Sequence, residues 1–142
     1  MLVAVSFTVP FVHGLQRPRF HGHAYDTDRN RADKEHIAAM YRMACREKAS
    51  ARPVVAPKNV PVAVRIVVHR PVPASRPKRI TQEHDVYKPD IDNIAKLILD
   101  ALNKVAWTDD AQVTQLVAVR AARARGVEEH TTVTISRPDW GD

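Results

Sequence analysis

The chain lacks the features that would make it an extracellular, membrane or repeat protein. Cys45 is the only cysteine among its 142 residues. No internal disulfide can form, which fits a reducing cytoplasm rather than a disulfide-stapled secreted scaffold. No stretch approaches the roughly 18 apolar residues that a membrane-spanning helix needs. The N-terminal MLVAVSFTVPFV is apolar, but it has no basic leader and is interrupted by Pro10. A first strand is expected there, not a secretion signal. Internal repeats and low-complexity tracts are missing as well.

What is present is ordinary in bulk and uneven in charge. A hydrophobic share of 44% and a charged share of 27% suit a soluble globular chain, and the length suits one small domain with a buried core. Against 16 acids stand 22 Lys and Arg, a net charge of +6 with a pI near 9.8. That excess points to a polyanionic partner, nucleic acid before a membrane surface. Its distribution sharpens the point. Between Arg65 and Lys88 six basic residues (Arg65, Arg70, Arg76, Lys78, Arg79 and Lys88) stand against two acids, Glu83 and Asp85. Arg120, Arg123 and Arg125 form a second cluster beside an expected hairpin turn at Gly126. This second cluster is read as either a solvated hairpin tip or a phosphate contact.

Residues 2–9 alternate as a strand does, and the breakers over 10–30 predict a long loop. From 33 to 49, Ile37, Met40, Tyr41 and Ala44 recur at helical spacing. The β-branched run 60–69 predicts a strand. Residues 70–89 hold four prolines and no periodicity, a loop of a length that is usually functional or mobile in a compact domain. A second helix over 91–104 follows, and then two strands, AQVTQLVAVRA and VEEHTTVTISR, joined at ARARG. The β-α-β-α-β-β order implies an α+β fold with two helices packed on one mixed sheet.

The stretch KPDIDNIAKLILDALN raises the functional question. At about 100° per residue, Ile94, Ala95, Leu97, Ile98, Ala101 and Leu102 share one face of the second helix. Asp92, Lys96, Asp100 and Asn103 share the other, with Asp90 at its N-terminal mouth. One reading is structural. Asp90 caps the helix, Asp92 favours its positive end, and Asp92–Lys96–Asp100 form i,i+4 pairs worth about 0.2–0.5 kcal/mol each. The other reading is a metal site: two carboxylates one residue apart can ligate a hard cation such as Mg2+. A third would come from Asp109–Asp110, provided that the following strand runs back alongside the helix. Lys96 would stand beside the metal to ground a phosphate oxygen.

Taken together, Asp90-Ile-Asp92-Asn93-Ile-Ala-Lys96, Asp100-Ala-Leu and Asp109-Asp110-Ala-Gln resemble the RusA family of Holliday-junction resolvases, found in bacteria and their phages. A lone Asp-x-Asp would say little, but the compound motif is specific. The matching order of elements extends a weaker likeness over most of the chain. The resemblance implies a small homodimeric endonuclease, Mg2+-dependent with Mn2+ able to substitute, that nicks four-way DNA junctions symmetrically in the cytoplasm of a bacterial or phage-infected cell. It assigns Asp90, Asp92 and Asp110 as metal-site acids and Lys96 as a catalytic lysine. Asp109, Asp100 and Asn93 take supporting places. The basic residues Arg76, Lys78, Arg79, Lys88, Arg120, Arg123 and Arg125 are the candidate DNA contacts. Two departures stand out: Asn103–Thr108 lacks the family's glycine, and the loop before Lys88 is longer and richer in proline.

Other candidates are weaker. His21 and His23, with His13 nearby, have no cysteine or second histidine pair at zinc spacing and read as solvated loop residues. Cys45 reads as a small core residue, and Trp107 as core before base-stacking. Phe20, Tyr25 and Tyr87 lie in basic loops where stacking on bases is possible. The alternative from a different class is a non-catalytic, basic nucleic-acid-binding module whose acids are caps and surface pairs.

Overall fold

The computed structural model describes residues 4–49 and 55–138. In chain order it has strand β1 (Val5–Val9), a small ribbon of β2 (Arg19–Phe20) and β3 (Ala24–Tyr25), and helix α1 (Asp28–Ala49). Strand β4 (Val62–His69), short β5 (Gln82–Glu83), helix α2 (Ile91–Leu102) and a 3-10 turn (Asp110–Gln112) come next. Strand β6 (Val113–Arg120), short β7 (Arg123–Ala124) and β8 (His130–Ser136) complete it. Leu2 and Val3 of the expected first strand, residues 50–54 and the tail from Asp139 lie outside the described residues.

Alternation in β1, β4 and β8 gives the main sheet one apolar face. Its order is β1-β8-β4-β6, with β8 antiparallel to both neighbours and β4 parallel to β6. Phe7, Val64, Ile66, Val133 and Ile135 point from the sheet into the core, where they meet Ile37 and Tyr41 of α1 and Leu97 and Ile98 of α2. Burying each such side chain stabilises the fold by roughly 1.5–3 kcal/mol. Cys45 and Trp107 are in the same core, with no exposed surface. The opposite face is lined by Ser6, Thr8, Thr132 and Thr134; Ser6 Oγ and Thr134 Oγ1 lie 2.6 Å apart across the β1–β8 pair.

The α+β class, with two helices and a mixed sheet, agrees with the sequence reading. Three local expectations are corrected. Helix α1 starts at Asp28, not 33, because Thr27 Oγ1 accepts the Asn30 N–H at 3.1 Å and caps it; the run Arg29–Asn30–Arg31 hides this turn from apolar periodicity. The loop over 10–30 contains the β2–β3 ribbon. Strands β6 and β8 are not a hairpin, since β4 lies between them and the chain through Gly126 crosses from one side of β4 to the other. Gly126 itself turns with φ 77°, a left-handed conformation that suits glycine.

The proline-rich loop is built rather than structureless. Its β5 pairs with β7, and Arg125 donates to the carbonyls of Pro73, Arg76, Pro77 and Ile80 at 2.9–3.1 Å. Among the described residues no helix is long and apolar enough to cross a membrane.

Candidate active site

Helix α2 begins where Pro89 gives way to Asp90, whose extended backbone (φ −65°, ψ 146°) occupies the N-cap position. Its carbonyl accepts the Ile94 N–H at 3.1 Å, but its carboxylate makes no capping bond. That group instead accepts from Lys88 Nζ at 2.7 Å. Asp92, one residue on, is 68% exposed, and Lys96 Nζ lies 3.9 Å from its carboxylate. The helix therefore makes little use of these two carboxylates, and an exposed ion pair of this kind contributes only about 0–1 kcal/mol. Asp100 does not continue the ladder with Lys96; it turns to α1, where Lys34 Nζ is 3.8 Å away.

The segment leading into Asp90 is held by two arginines. Asp85 has a side chain with no exposed surface, and it receives Arg70 Nε at 2.9 Å and Arg70 Nη2 at 2.5 Å. The same guanidinium donates to the carbonyls of Lys88 at 2.7 Å and Tyr87 at 3.1 Å. Arg120, the last residue of β6, reaches the carbonyls of Tyr87 and Pro89 and stands 3.4 Å from Asp85 Oδ1. Burial pushes the Asp85 carboxyl up, but the hydrogen bond and charge of Arg70, with the Tyr87 N–H and the Arg120 charge, hold it below the usual carboxylate range. On the other flank the Leu15 N–H bonds to the Asn93 carbonyl at 3.0 Å. A Cβ on Gly14 would come within 2.9 Å of Pro89 Cβ and 3.2 Å of Asn93 Cβ, so this loop fits against the start of α2 only because residue 14 has no side chain. The sequence reading counted Arg70 and Asp85 only as charges and missed Gly14; a glycine between His13 and Leu15 and a lone aspartate in a basic loop carry no motif.

The candidate DNA contacts differ in how far the fold occupies them. Arg120 and Arg125 spend their donors on backbone carbonyls. Arg123, only 6% exposed, stacks 4.2 Å over the Tyr87 ring and lies 3.1 Å from Glu83. Arg76 pairs with Glu83 at 2.8 Å. Lys78 and Arg79 remain exposed, and the Lys88 side chain is 84% exposed although paired with Asp90.

The second acidic element is at the start of β6. Asp110 Oδ1 accepts the indole N–H of buried Trp107 at 2.7 Å, and Asp109 accepts the Ala111 N–H at 3.1 Å. Gln112 knots the turn: its Oε1 accepts the Thr108 and Asp109 N–H groups at 2.8 and 2.9 Å, and its Nε2 donates to the carbonyls of Pro57 and Val60 at 2.8 and 2.9 Å.

Strand β6 does return alongside α2, but Asp110 is at the wrong end to join Asp90 and Asp92. The 12 residues of α2 span about 18 Å at 1.5 Å per residue. The 8 residues of β6 span about 26 Å at 3.3 Å each, and it is the far end, Arg120, that touches Pro89. Among the described residues no group of three or more His, Cys, Asp or Glu could hold a metal ion. Within one chain the donor set Asp90, Asp92 and Asp110 does not fit a single cation.

Of the histidines, His21 and His23 are exposed at the β2–β3 turn, whereas His13 is not a solvated loop residue. Its Nδ1 bonds to Asp33 at 2.9 Å and its ring stacks on Phe11 at 4.5 Å. His69 and His130, undistinguished in sequence, stack across β4 and β8 at 4.4 Å.

Over residues 12–136 the chain matches the family Endodeoxyribonuclease RusA, and it belongs to that family. No individual curated protein matches it.

Proposed function

We propose that this RusA-family chain is a Mg2+-dependent endonuclease, with Mn2+ able to substitute, that resolves Holliday junctions by paired symmetric nicks in DNA recombination and repair. On this reading residues 1–142 are one catalytic domain, working as a homodimer in the cytoplasm of a bacterial or phage-infected cell. The observation that carries the reading is the state of the α2 N-terminus. Asp90, Asp92 and Lys96 lie together, exposed and largely unspent by the fold, on a peptide that Arg70 and Arg120 anchor from behind.

A homodimer also answers the separation of the acids. Two copies related by a two-fold axis can bring Asp110 of one to Asp90 and Asp92 of the other. Those three carboxylates offer the hard oxygen donors that Mg2+ prefers. When bound, such an ion supplies an activated water and stabilises charge on the phosphoryl oxygens. The chain's own contributions are the placement of Asp90 and Asp92 and the Lys96 ammonium, which neutralises a non-bridging phosphate oxygen.

The test is a Mg2+ or Mn2+ titration on a synthetic four-way junction, with a linear duplex as control. Metal-dependent, junction-selective nicking is expected. Asp90→Asn, Asp92→Asn and Asp110→Asn should each abolish it while leaving junction binding intact or tighter, because negative charge is removed from a DNA-facing site. Salt-sensitive binding without nicking under any metal condition would establish the non-catalytic module instead.

A further inference from the structure

Four of the expected arginine contacts are paired within the protein while Lys78 and Arg79 stay exposed, and a further set of unspent cations marks a second surface. A groove of about 540 Å3 crosses the uncovered side of the sheet at the ends of β4, β6 and β8. Arg65 and Arg137 line it together with Thr114, Gln115, Val117 and Ser136. Both arginines are exposed, and neither side chain has an ion pair or hydrogen bond among the described residues. A second concavity, of about 230 Å3, shares Thr114 and continues past Lys58 to Asp109. Lys58 is likewise exposed and, among the described residues, unpaired. The one acid along this path, Asp109, has its carboxylate turned to the Ala111 N–H. Asp110 is the next residue.

We infer that this groove binds the sugar-phosphate backbone of a DNA arm, with Arg65 and Arg137 on the phosphates, and leads that strand to Asp110. The inference rests on the proposed junction-cleaving activity. The chemistry of the lining selects a phosphodiester chain over a small metabolite. Three free cations are spaced along an open trough with hydroxyl and amide donors between them, and there is no enclosed apolar chamber to bury a ligand. Val117 gives an apolar floor for sugar rings. The contacts of Arg65 and Arg137 with phosphates are electrostatic and independent of sequence. The groove also places a basic surface beside the Asp109–Asp110 pair at this end of the domain.

The experiment measures junction affinity by fluorescence anisotropy across a NaCl series, with Ca2+ in place of Mg2+, on a labelled four-way junction. Arg65→Gln, Arg137→Gln and the double variant are compared with the parent and with Arg42→Gln, an exposed arginine on α1 that is unpaired among the described residues. Each groove variant should bind more weakly and lower the slope of log K against log salt by about 0.9 for every phosphate that is no longer neutralised. Arg42→Gln should match the parent, and Arg65→Lys/Arg137→Lys should retain most of the slope. Unchanged thermal midpoints tie the weaker binding to charge, and the single variants carry the same test as the double. If the parent binds and nicks junctions while the double variant keeps the parental affinity and slope, the groove assignment is wrong and the endonuclease reading stands. If the parent shows no metal-dependent nicking, the endonuclease reading fails, and the groove with it.

Discussion

Two inactive variants should restore each other when mixed. Asp92→Asn and Asp110→Asn each remove a carboxylate that the proposed site requires, so neither preparation should nick a junction alone. Ligand oxygens on one Mg2+ lie about 2.1 Å from it, hence within about 4 Å of one another. Helix α2, with 12 residues, separates its N-terminal acids from its far end by about 18 Å, more than side-chain rotation can close. The acids can then meet only between two copies. In a mixed dimer, one site carries both substitutions and the other has all three native carboxylates. Random exchange makes about half of the dimers mixed, so about a quarter of the sites are intact, on two-fold symmetry. The assay is single-turnover nicking of a labelled four-way junction after subunit exchange, with exchange followed by energy transfer between differently labelled preparations. The expected product is the single nick, since each mixed dimer has one working site. A mixture as inactive as its parts, with exchange demonstrated and junction binding retained, would refute the reasoning.

Replacing Arg120 with Met leaves the Pro89 carbonyl short of a donor, while the Tyr87 carbonyl keeps Arg70; at roughly 1–3 kcal/mol for one part-buried acceptor, urea unfolding should show a drop of about that size in stability. Nicking should fall by more than junction binding does, because the displaced peptide carries Asp90. The Asp85 carboxyl is held below its ordinary value, so its contribution is complete above an unfolded pKa of about 3.9 and is lost as pH falls through the lower folded value. Urea midpoints measured from pH 5 down to pH 2 should therefore drop more steeply for the parent than for Asp85→Asn. Gly14→Ala places a methyl group 2.9 Å from Pro89 Cβ; overpacking of this kind costs about 1–3 kcal/mol, visible as a lower thermal midpoint with slower nicking.

The amphipathic signal of α2 was fully legible, because Ile94, Leu97, Ile98 and Leu102 recur at a period that only a helix can bury. The alternation in β1, β4 and β8 was equally plain. Pairing partners were not. Strands β6 and β8 are close in sequence and rich in β-branched residues, which suggests a hairpin, yet β4 takes the place between them. Local propensity says that a segment is extended; it does not say which strand it lies beside. The partners of the basic clusters were hidden for a related reason. Composition counts Arg120, Arg123 and Arg125 as free positive charge, but a guanidinium has five donors and meets carbonyls as readily as phosphates. Only the folded backbone shows where those carbonyls are.

The compound motif itself divides along the same line. In the Asp-Asp-Ala-Gln element, Gln112 and Asp109 are committed to the turn, and Asp110 is held by the Trp107 indole. That half is as much a folding device as a chemical one. In the Asp-x-Asp-Asn element, Asp90 takes the N-cap position yet lends the helix no side-chain hydrogen bond. Capping would stabilise α2 by about 1 kcal/mol, so leaving the carboxylate outside the helix is a cost that its exposed pair with Lys88 offsets only in part. Arg70 and Arg120 fix the peptide behind it. A site that needs an ordered, unspent carboxylate accounts for both features; a helix cap accounts for neither.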